Sequence, residues 1–344
     1  MEPTSPGLGR PAASPPDADD RAGGPVAVGN PAAALPRIAI VRNPRSHRNR
    51  GTMAQDPDDP DITVTAPANR AELAEAMIRF VEQRIDLLVI DGGDGTMREV
   101  LTAGAPVFGD RWPRLLLLPK GKTNALAIDL GMPGKWSLAE ALRAIPRARA
   151  VSRRPLLLEP QDGSRKVLGF IMGTGVFNAA IAAGQVAHRF GAFQGFAVAV
   201  TALFGMIQAL FGIGRSPWRA LSGMRITDDG GSEVPHSRHG TPAQRFAAGL
   251  STLGKFPLGM RPFAGVEGGI RYIVVDAPLR RVVALVPAIL MGLDRPFLRR
   301  LGLHRGAADG FTLDLDSSFI LDGEAFPPGR YRLRQGPELR FLVP

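Results

Sequence analysis

Short apolar runs recur along the whole chain, separated at first by helical spacings and later only by turns. Ile38-Ala39-Ile40-Val41 predicts a strand, ended by Asn43-Pro44-Arg45-Ser46. The Asp- and Pro-rich stretch from Asp56 to Asp61 predicts a loop, and Ile62-Thr63-Val64-Thr65 a second strand. Asn69 with Glu72 three residues later has the form of a capping box, and Leu73, Met77, Phe80 and Val81 follow at helical spacing. The continuous apolar stretch from Ile85 to Ile90 predicts a strand that runs straight into Asp91-Gly92-Gly93-Asp94-Gly95-Thr96. A helix carrying Val100 and Leu101 comes next, then a strand from Leu115 to Leu118. Strands alternating with helices predict an α/β domain whose parallel sheet is covered on both faces.

From about Val151 the texture changes. Apolar runs at Leu156–Leu158, Val167–Ile171, Met224–Ile226, Ile270–Val275, Phe311–Leu315, Phe319–Leu321, Tyr331–Leu333 and Leu339–Val343 are set apart by turn residues such as Asp162-Gly163 and Asp229-Gly230-Gly231. They predict an antiparallel β domain over 151–344, with a helical insertion near 176–212, after an α/β domain over 36–150. Residues 1–35, rich in Pro, Ala, Gly and Asp, predict a disordered leader. They lack the basic start and apolar run of a cleavable signal peptide.

Charge and composition narrow the partners. With 44% hydrophobic and 22% charged residues over 344 positions, the composition is that of a globular protein. An excess of 42 Lys+Arg over 32 Asp+Glu gives a formal charge of +10, which favours nucleotide phosphates, nucleic acid or an acidic membrane surface. No helix-turn-helix, RNA-binding or zinc pattern is present, which argues against nucleic acid. The absence of cysteine excludes disulfides, cysteine catalysis and thiolate metal sites.

Three segments carry chemistry. In Gly92-Gly93-Asp94-Gly95-Thr96, glycines after a strand let backbone approach a phosphate, and the following helix start offers unpaired N–H groups. Asp94 has the chemistry to hold magnesium through water, and Thr96 to donate to a phosphate oxygen. The plain alternative is a tight turn that needs glycine for its conformation alone. Pro119-Lys120-Gly121-Lys122-Thr123-Asn124 is a second strand-end loop suited to a nucleotide. It fails as a Walker A loop, because Leu116 stands where a glycine is required. Its plain alternative is an ordinary helix start capped by Thr123. Asp322-Gly323-Glu324, near the end of the chain, offers two carboxylates for proton transfer. Seen alone it is also a polar turn between two strands.

Taken in order, Asn43-Pro44-x-Ser46, Gly-Gly-Asp-Gly-Thr at 92–96, Pro119-x-Gly121-x-x-Asn124-x-x-Ala127 and Asp322-Gly323-Glu324 resemble the diacylglycerol kinase catalytic-domain family, which includes sphingosine and ceramide kinases. The resemblance implies a NAD kinase-like nucleotide-binding α/β domain, a C-terminal antiparallel β-sandwich, ATP and Mg2+ as cofactors, and transfer of phosphate to a lipid hydroxyl. It implies that Asn43 and Ser46 flank the nucleotide, that Gly92 to Thr96 hold its phosphates, and that Gly121, Lys122, Thr123 and Asn124 share the cleft. Asp309 becomes a metal-network carboxylate beside Asp94, and Glu324 the general base with Asp322 next to it. Ala125 stands where many diacylglycerol kinases have aspartate, and Asn178 where an aspartate often meets the lipid head group. Both departures lean toward a sphingoid or ceramide acceptor. A soluble-substrate kinase of the NAD kinase superfamily and an inactive binding homologue stay open beside the lipid kinase.

Gly195 to Gly214 has only Thr201 and Gln208 as polar side chains. A buried or lipid-lining helix, an interfacial helix and a membrane span all fit it. Leu279 to Arg305 mixes apolar residues with Arg280, Arg281, Arg295, Arg299 and Arg300, which suits an anionic bilayer or a core helix with a solvated basic flank. The expected setting is cytoplasmic, peripheral to the inner face of a membrane, with a homodimer compatible.

Overall fold

The computed structural model describes residues 36–49, 61–178, 208 and 217–344. In its first part, strands β1 (Ile38–Arg42), β2 (Ile62–Thr65), β3 (Leu87–Gly92), β4 (Arg114–Pro119) and β5 (Arg149–Arg153) alternate with helices α1 (Arg70–Glu82), α2 (Asp94–Phe108), α3 (Ala125–Leu130) and α4 (Leu138–Ala144). β1, β2, β3 and β4 pair in parallel. All six residues of β3 are buried, as expected of a strand covered on both faces. The Asn69 side chain accepts from the Glu72 N–H at 3.0 Å, so the predicted cap is present. α1 buries Leu73, Ala76, Met77 and Phe80. Val81, grouped with that face by spacing, is exposed instead, because Ala76 completes the inner stripe.

The second part holds β6 (Leu156–Pro160), β7 (Val167–Gly169), β8 (Ile171–Gly175), β9 (Ser222–Asp228), β10 (Gln244–Arg245), β11 (Ala247–Ser251) and β12 (Ile270–Val275). Helices α5 (Arg280–Leu290) and α6 (Pro296–Arg300) follow. Then come β13 (Leu303–Ala308), β14 (Gly310–Leu315), β15 (Phe319–Leu321), β16 (Glu324–Phe326), β17 (Gly329–Gln335) and β18 (Leu339–Val343). Two antiparallel six-stranded sheets, ordered β10-β9-β14-β17-β6-β7 and β13-β12-β11-β8-β15-β16, share one core. Along β14, buried Phe311, Leu313 and Leu315 alternate with Thr312 and Asp314, the period-two pattern of a strand with one face inward. Leu156, Leu158 and Leu333 from the first sheet meet Leu250, Val274 and Phe319 from the second, making a β-sandwich.

The last strand leaves the sandwich. β18 lies between β4 and β5 and completes the sheet of the α/β lobe, parallel to β4 and antiparallel to β5. Leu339, Phe341 and Val343 are buried there while Arg340 stays exposed. The chain therefore crosses between the two lobes at both ends of the sandwich, which fixes one against the other.

Among the described residues, no helix is long and apolar enough to cross a membrane. The Gly195–Gly214 segment apart from Gln208, and most of the predicted helical insertion, lie outside the described residues.

Candidate functional site

A cavity of about 730 Å3 opens between the ends of β1, β3 and β4 and the hairpin joining β15 to β16. Asn43, Ser46, Gly93, Asp94, Gly95, Thr96, Gly121, Lys122, Thr123, Asp322 and Glu324 all line it. The first two loops are locked together before any ligand is considered. Asn43 Nδ2 donates to Thr96 Oγ1 at 2.8 Å. A Cβ on Gly93 would lie 2.7 Å from Gly121 Cα, so the two loops touch backbone to backbone. Gly93 caps α2 without a side-chain hydrogen bond, leaving the first-turn N–H groups of a 15-residue helix open toward the cavity.

Asp94 reaches across this junction. Its Oδ2 accepts from the Ala125 N–H at 3.1 Å, so the first loop caps the helix that follows the second. Burial raises the Asp94 carboxyl above its ordinary value, against the opposing pull of the α3 amides. Thr123 does not cap α3, as the plain alternative for this loop would have it. Asn124 takes that position in a left-handed conformation, and its side chain turns back to Gly121, accepting from its N–H at 2.8 Å and donating to its carbonyl at 3.0 Å. Asn124 and Gly92 thus sit behind the loops, lining a smaller void, and hold their shape.

The opposite wall is the hairpin. Asp322 and Gly323 form its two-residue turn, both with positive φ, the geometry for which Asp-Gly is suited. Gly169 is required beside it, since a Cβ there would lie 2.8 Å from Asp322 Oδ2. Asp322 Oδ1 accepts from Ile171 N–H at 2.9 Å, and Oδ2 from Phe170 N–H at 3.0 Å. Burial dominates its charge state. Reinforced by the Asp94 carboxylate, it pushes Asp322 up to about 7 despite those amides and Arg98.

Glu324 is held differently. Arg98 donates to it, and Arg70 Nη2 does so at 3.1 Å. Arg98 is 5% exposed and also donates to the Leu321 carbonyl at 3.1 Å, tying α2 to the hairpin. Arg70 forks onto Glu99 with two bonds of 2.9 Å. Burial of Glu99 is outweighed by its bonds to Arg70 and Arg98, which leave it below the ordinary carboxylate range. Arg70, Arg98 and Glu99 were not singled out from sequence. A signal was available for Arg98, which lies four residues after Asp94 on a helix and so on the same face.

Two expected residues lie elsewhere. Asp309 is exposed in the turn between β13 and β14 and does not line the cavity. The Asn178 amide donates to the Ser318 carbonyl, also outside the cavity lining. Among the described residues, no group of three or more His, Cys, Asp or Glu could hold a metal by itself. The donor set fits magnesium in its usual nucleotide-linked mode, in which one or two carboxylates act together with phosphate oxygens. It also fits the phosphates: Arg98 lines the cavity with its buried Nε lacking a hydrogen-bond partner.

Residues 41–154 match the model of the diacylglycerol kinase catalytic domain. Over 108 residues the chain is 32% identical to "Probable lipid kinase YegS" of Escherichia coli, covering 30% of this chain and 34% of that protein. Over 107 residues it is 32% identical to the Shigella flexneri protein of the same name, covering 30% and 33%. The match thus spans about a third of these relatives' length. A solved structure of a diacylglycerol kinase from Bacillus anthracis str. Sterne superposes with a TM-score of 0.59 at 13% identity, covering 90% of this chain and 97% of that one, which shows a shared fold. Phosphate-type loops and a carboxylate hairpin converge on one cleft, and the likeness to the diacylglycerol kinase catalytic domain lies in residues 41–154, which supply the loops of that cleft.

Proposed function

We propose that this chain transfers the γ-phosphate of ATP to the hydroxyl of a membrane lipid, a diacylglycerol or a ceramide or sphingoid base. The observation that carries the reading is the meeting, in one cavity, of glycine loops from the parallel sheet with two carboxylates from the sandwich hairpin. Phosphoryl transfer needs positioning and charge neutralisation more than covalent help from the protein. The α2 N-terminus, Thr96 and Lys122 line the cavity and would bind phosphate oxygens, and Asn43 and Ser46, in the same lining, would flank the nucleotide. Asp94 would hold magnesium, which when bound neutralises charge between phosphate oxygens.

Of the hairpin pair we assign proton acceptance to Asp322 rather than to Glu324, the residue the resemblance implies. A base works best with a pKa near the working pH, and Asp322 is pushed up to about 7. Glu324 already neutralises Arg98 and Arg70, so it acts as the anchor that keeps the hairpin on α2. As the lipid oxygen bonds to the γ-phosphorus and the bridging β–γ oxygen leaves with ADP, the hydroxyl proton passes to the Asp322 carboxylate. Radiolabelled ATP offered in parallel with diacylglycerol, ceramide, sphingosine and NAD tests this. Label in one of the lipids is expected. Label in NAD alone would place the chain with the soluble-substrate kinases, and ATP binding without transfer would mark an inactive homologue.

A further inference from the structure

Helix α5 has the outer face of a helix that should be covered. After Arg280 and Arg281 every side chain to Leu290 is apolar, and Val282, Val283 and Ile289 are the buried ones. The residues turned outward, Ala284, Pro287 and Ala288, continue into Met291, which is 60% exposed. A helix on a soluble surface turns charge outward. In the same molecule α1 does so with Glu72, Glu75, Arg79 and Glu82.

The nearby cations are placed as unusually. Arg280 and Arg281 occupy a first helical turn that has no acidic residue, where the helix dipole disfavours positive charge. They and Arg295, Arg299 and Arg300 are exposed and make no ion pair among the described residues. Asp294, the one acid between residues 277 and 302, pairs with Arg305 at 3.5 Å. Phe297 adds another exposed ring. On the loop after β11, Leu258 is 90% exposed with φ 58, a backbone region that branched side chains rarely adopt. Arg261 N–H donates to the Leu290 carbonyl at 2.7 Å and ties this loop to the end of α5.

The same loop starts at the cleft. Ser251, its last strand residue, pairs with Ile171, whose N–H donates to Asp322. Gly254 and Lys255 then donate to Asp129 of α3 at 2.7 and 2.6 Å.

We infer that α5, α6 and the Leu258 loop form a docking face for an anionic lipid bilayer, which brings the cleft mouth to the level of the head groups. The inference deepens the proposed function and rests on it for the nature of the acceptor. Charge complementarity selects the occupant: exposed apolar side chains ringed by exposed arginines with no ion pair among the described residues match an acidic bilayer surface. A second copy docked by two-fold symmetry would set the same arginine-rich patch against itself.

The full chain is sedimented with phosphatidylcholine vesicles and with phosphatidylcholine–phosphatidylglycerol vesicles, at low and high salt. Binding is expected to the anionic vesicles and to weaken with salt. Leu258→Asp with Met291→Asp, and separately Arg299→Glu with Arg300→Glu, should each lower binding at least about tenfold. Phosphorylation of a detergent-dispersed short-chain form of whichever lipid takes label in the parallel assay should stay within about twofold. Variants that bind like wild type, or a wild-type chain that ignores anionic vesicles, would overturn the inference. So would a concentration-dependent dimer dissolved by Met291→Asp, which would put a second copy on the face. Vesicle binding with no lipid labelled would remove the proposed function alone; labelling without vesicle binding would remove the docking face alone.

Discussion

Asp276, fully buried, and Asp322, partly buried in the cavity wall, are two aspartates of the same sandwich held in opposite ways. Asp276, at the end of β12, accepts from Arg245, from Ser237 N–H at 2.7 Å and from His304 Nε2 at 2.9 Å. Burial alone would raise its pKa, yet His304, Ser237 and the charge around them carry it well below the carboxylate range. Asp322 has only backbone amides as donors among the described residues, and burial, with the Asp94 carboxylate, pushes it up to about 7 against those amides and Arg98. A carboxylate that braces the fold is given cations of its own. Asp322, proposed above as the proton acceptor, receives no side-chain hydrogen bond from any described cation, and Arg98 bonds Glu324 next door instead.

Removing each carboxylate in turn would break this comparison most sharply. Asp322→Asn is expected to lower transfer by about 10²–10⁴-fold while leaving ATP binding nearly intact. The same change should stabilise the fold. A shift from the ordinary 3.8 to about 7 means that ionised Asp322 weakens the native state by about 2–4 kcal/mol at neutral pH. Part of that gain is offset because an amide has a single acceptor oxygen for the two N–H groups. Asp276→Ala should do the reverse: transfer is spared per folded molecule, and stability falls by about 3–5 kcal/mol as buried Arg245 loses its counter-charge. Urea unfolding and radiolabel transfer on both variants give the four numbers needed. Asp322→Asn with full turnover would remove the base assignment.

The pH dependence sharpens the contrast, because the signs oppose. Native Asp322 holds its proton where the unfolded chain has released it, so its contribution to stability is present below pH ~4 and is lost as pH rises toward 7. Native Asp276 stays ionised where the unfolded chain takes up a proton, so its contribution is present above pH ~4 and is lost on acidification. The stability gain of Asp322→Asn should therefore grow between pH 4 and 7 and then level off. The cost of Asp276→Ala should shrink below pH 4. Urea midpoints across that range read both curves, and parallel curves would refute the distinction.

How much of this was legible in the sequence depends on whether local pattern or distant pairing carried the feature. β14 and β17 alternate apolar and polar residues, and Gly92 to Thr96 announces a phosphate-type turn through its glycines. The Asp-Gly pair at 322–323 forms the turn of a hairpin, and the carboxylates of Asp322 and Glu324 line the cavity. β11, Ala247-Ala248-Gly249-Leu250-Ser251, escaped because small residues carry no strand period, although all five are buried in mid-sheet. β18 was visible as a strand, but its place between β4 and β5 is a choice of partner that local periodicity does not encode. Arg98 was passed over because it reads as an ordinary helix charge. Its meaning comes from Glu324, 226 positions later in the chain.

The smallest expected effect discriminates best between the two hairpin carboxylates. Glu324 is 40% exposed and shares its charge between Arg98 and Arg70, so its ion pairs are partly screened by water. Glu324→Gln keeps the side-chain length and one acceptor oxygen and removes the charge. Stability should change by less than about 1 kcal/mol, and transfer should fall by no more than about tenfold through a loosened hairpin. Because the residue acts through position, that fall should be in kcat without movement of the acidic limb of the pH–rate profile, which belongs to Asp322. A loss as deep as that of Asp322→Asn, with the acidic limb abolished, would transfer the proton-acceptor role to Glu324. The Asp322 carboxylate would then be left shaping the turn through its bonds to Phe170 and Ile171.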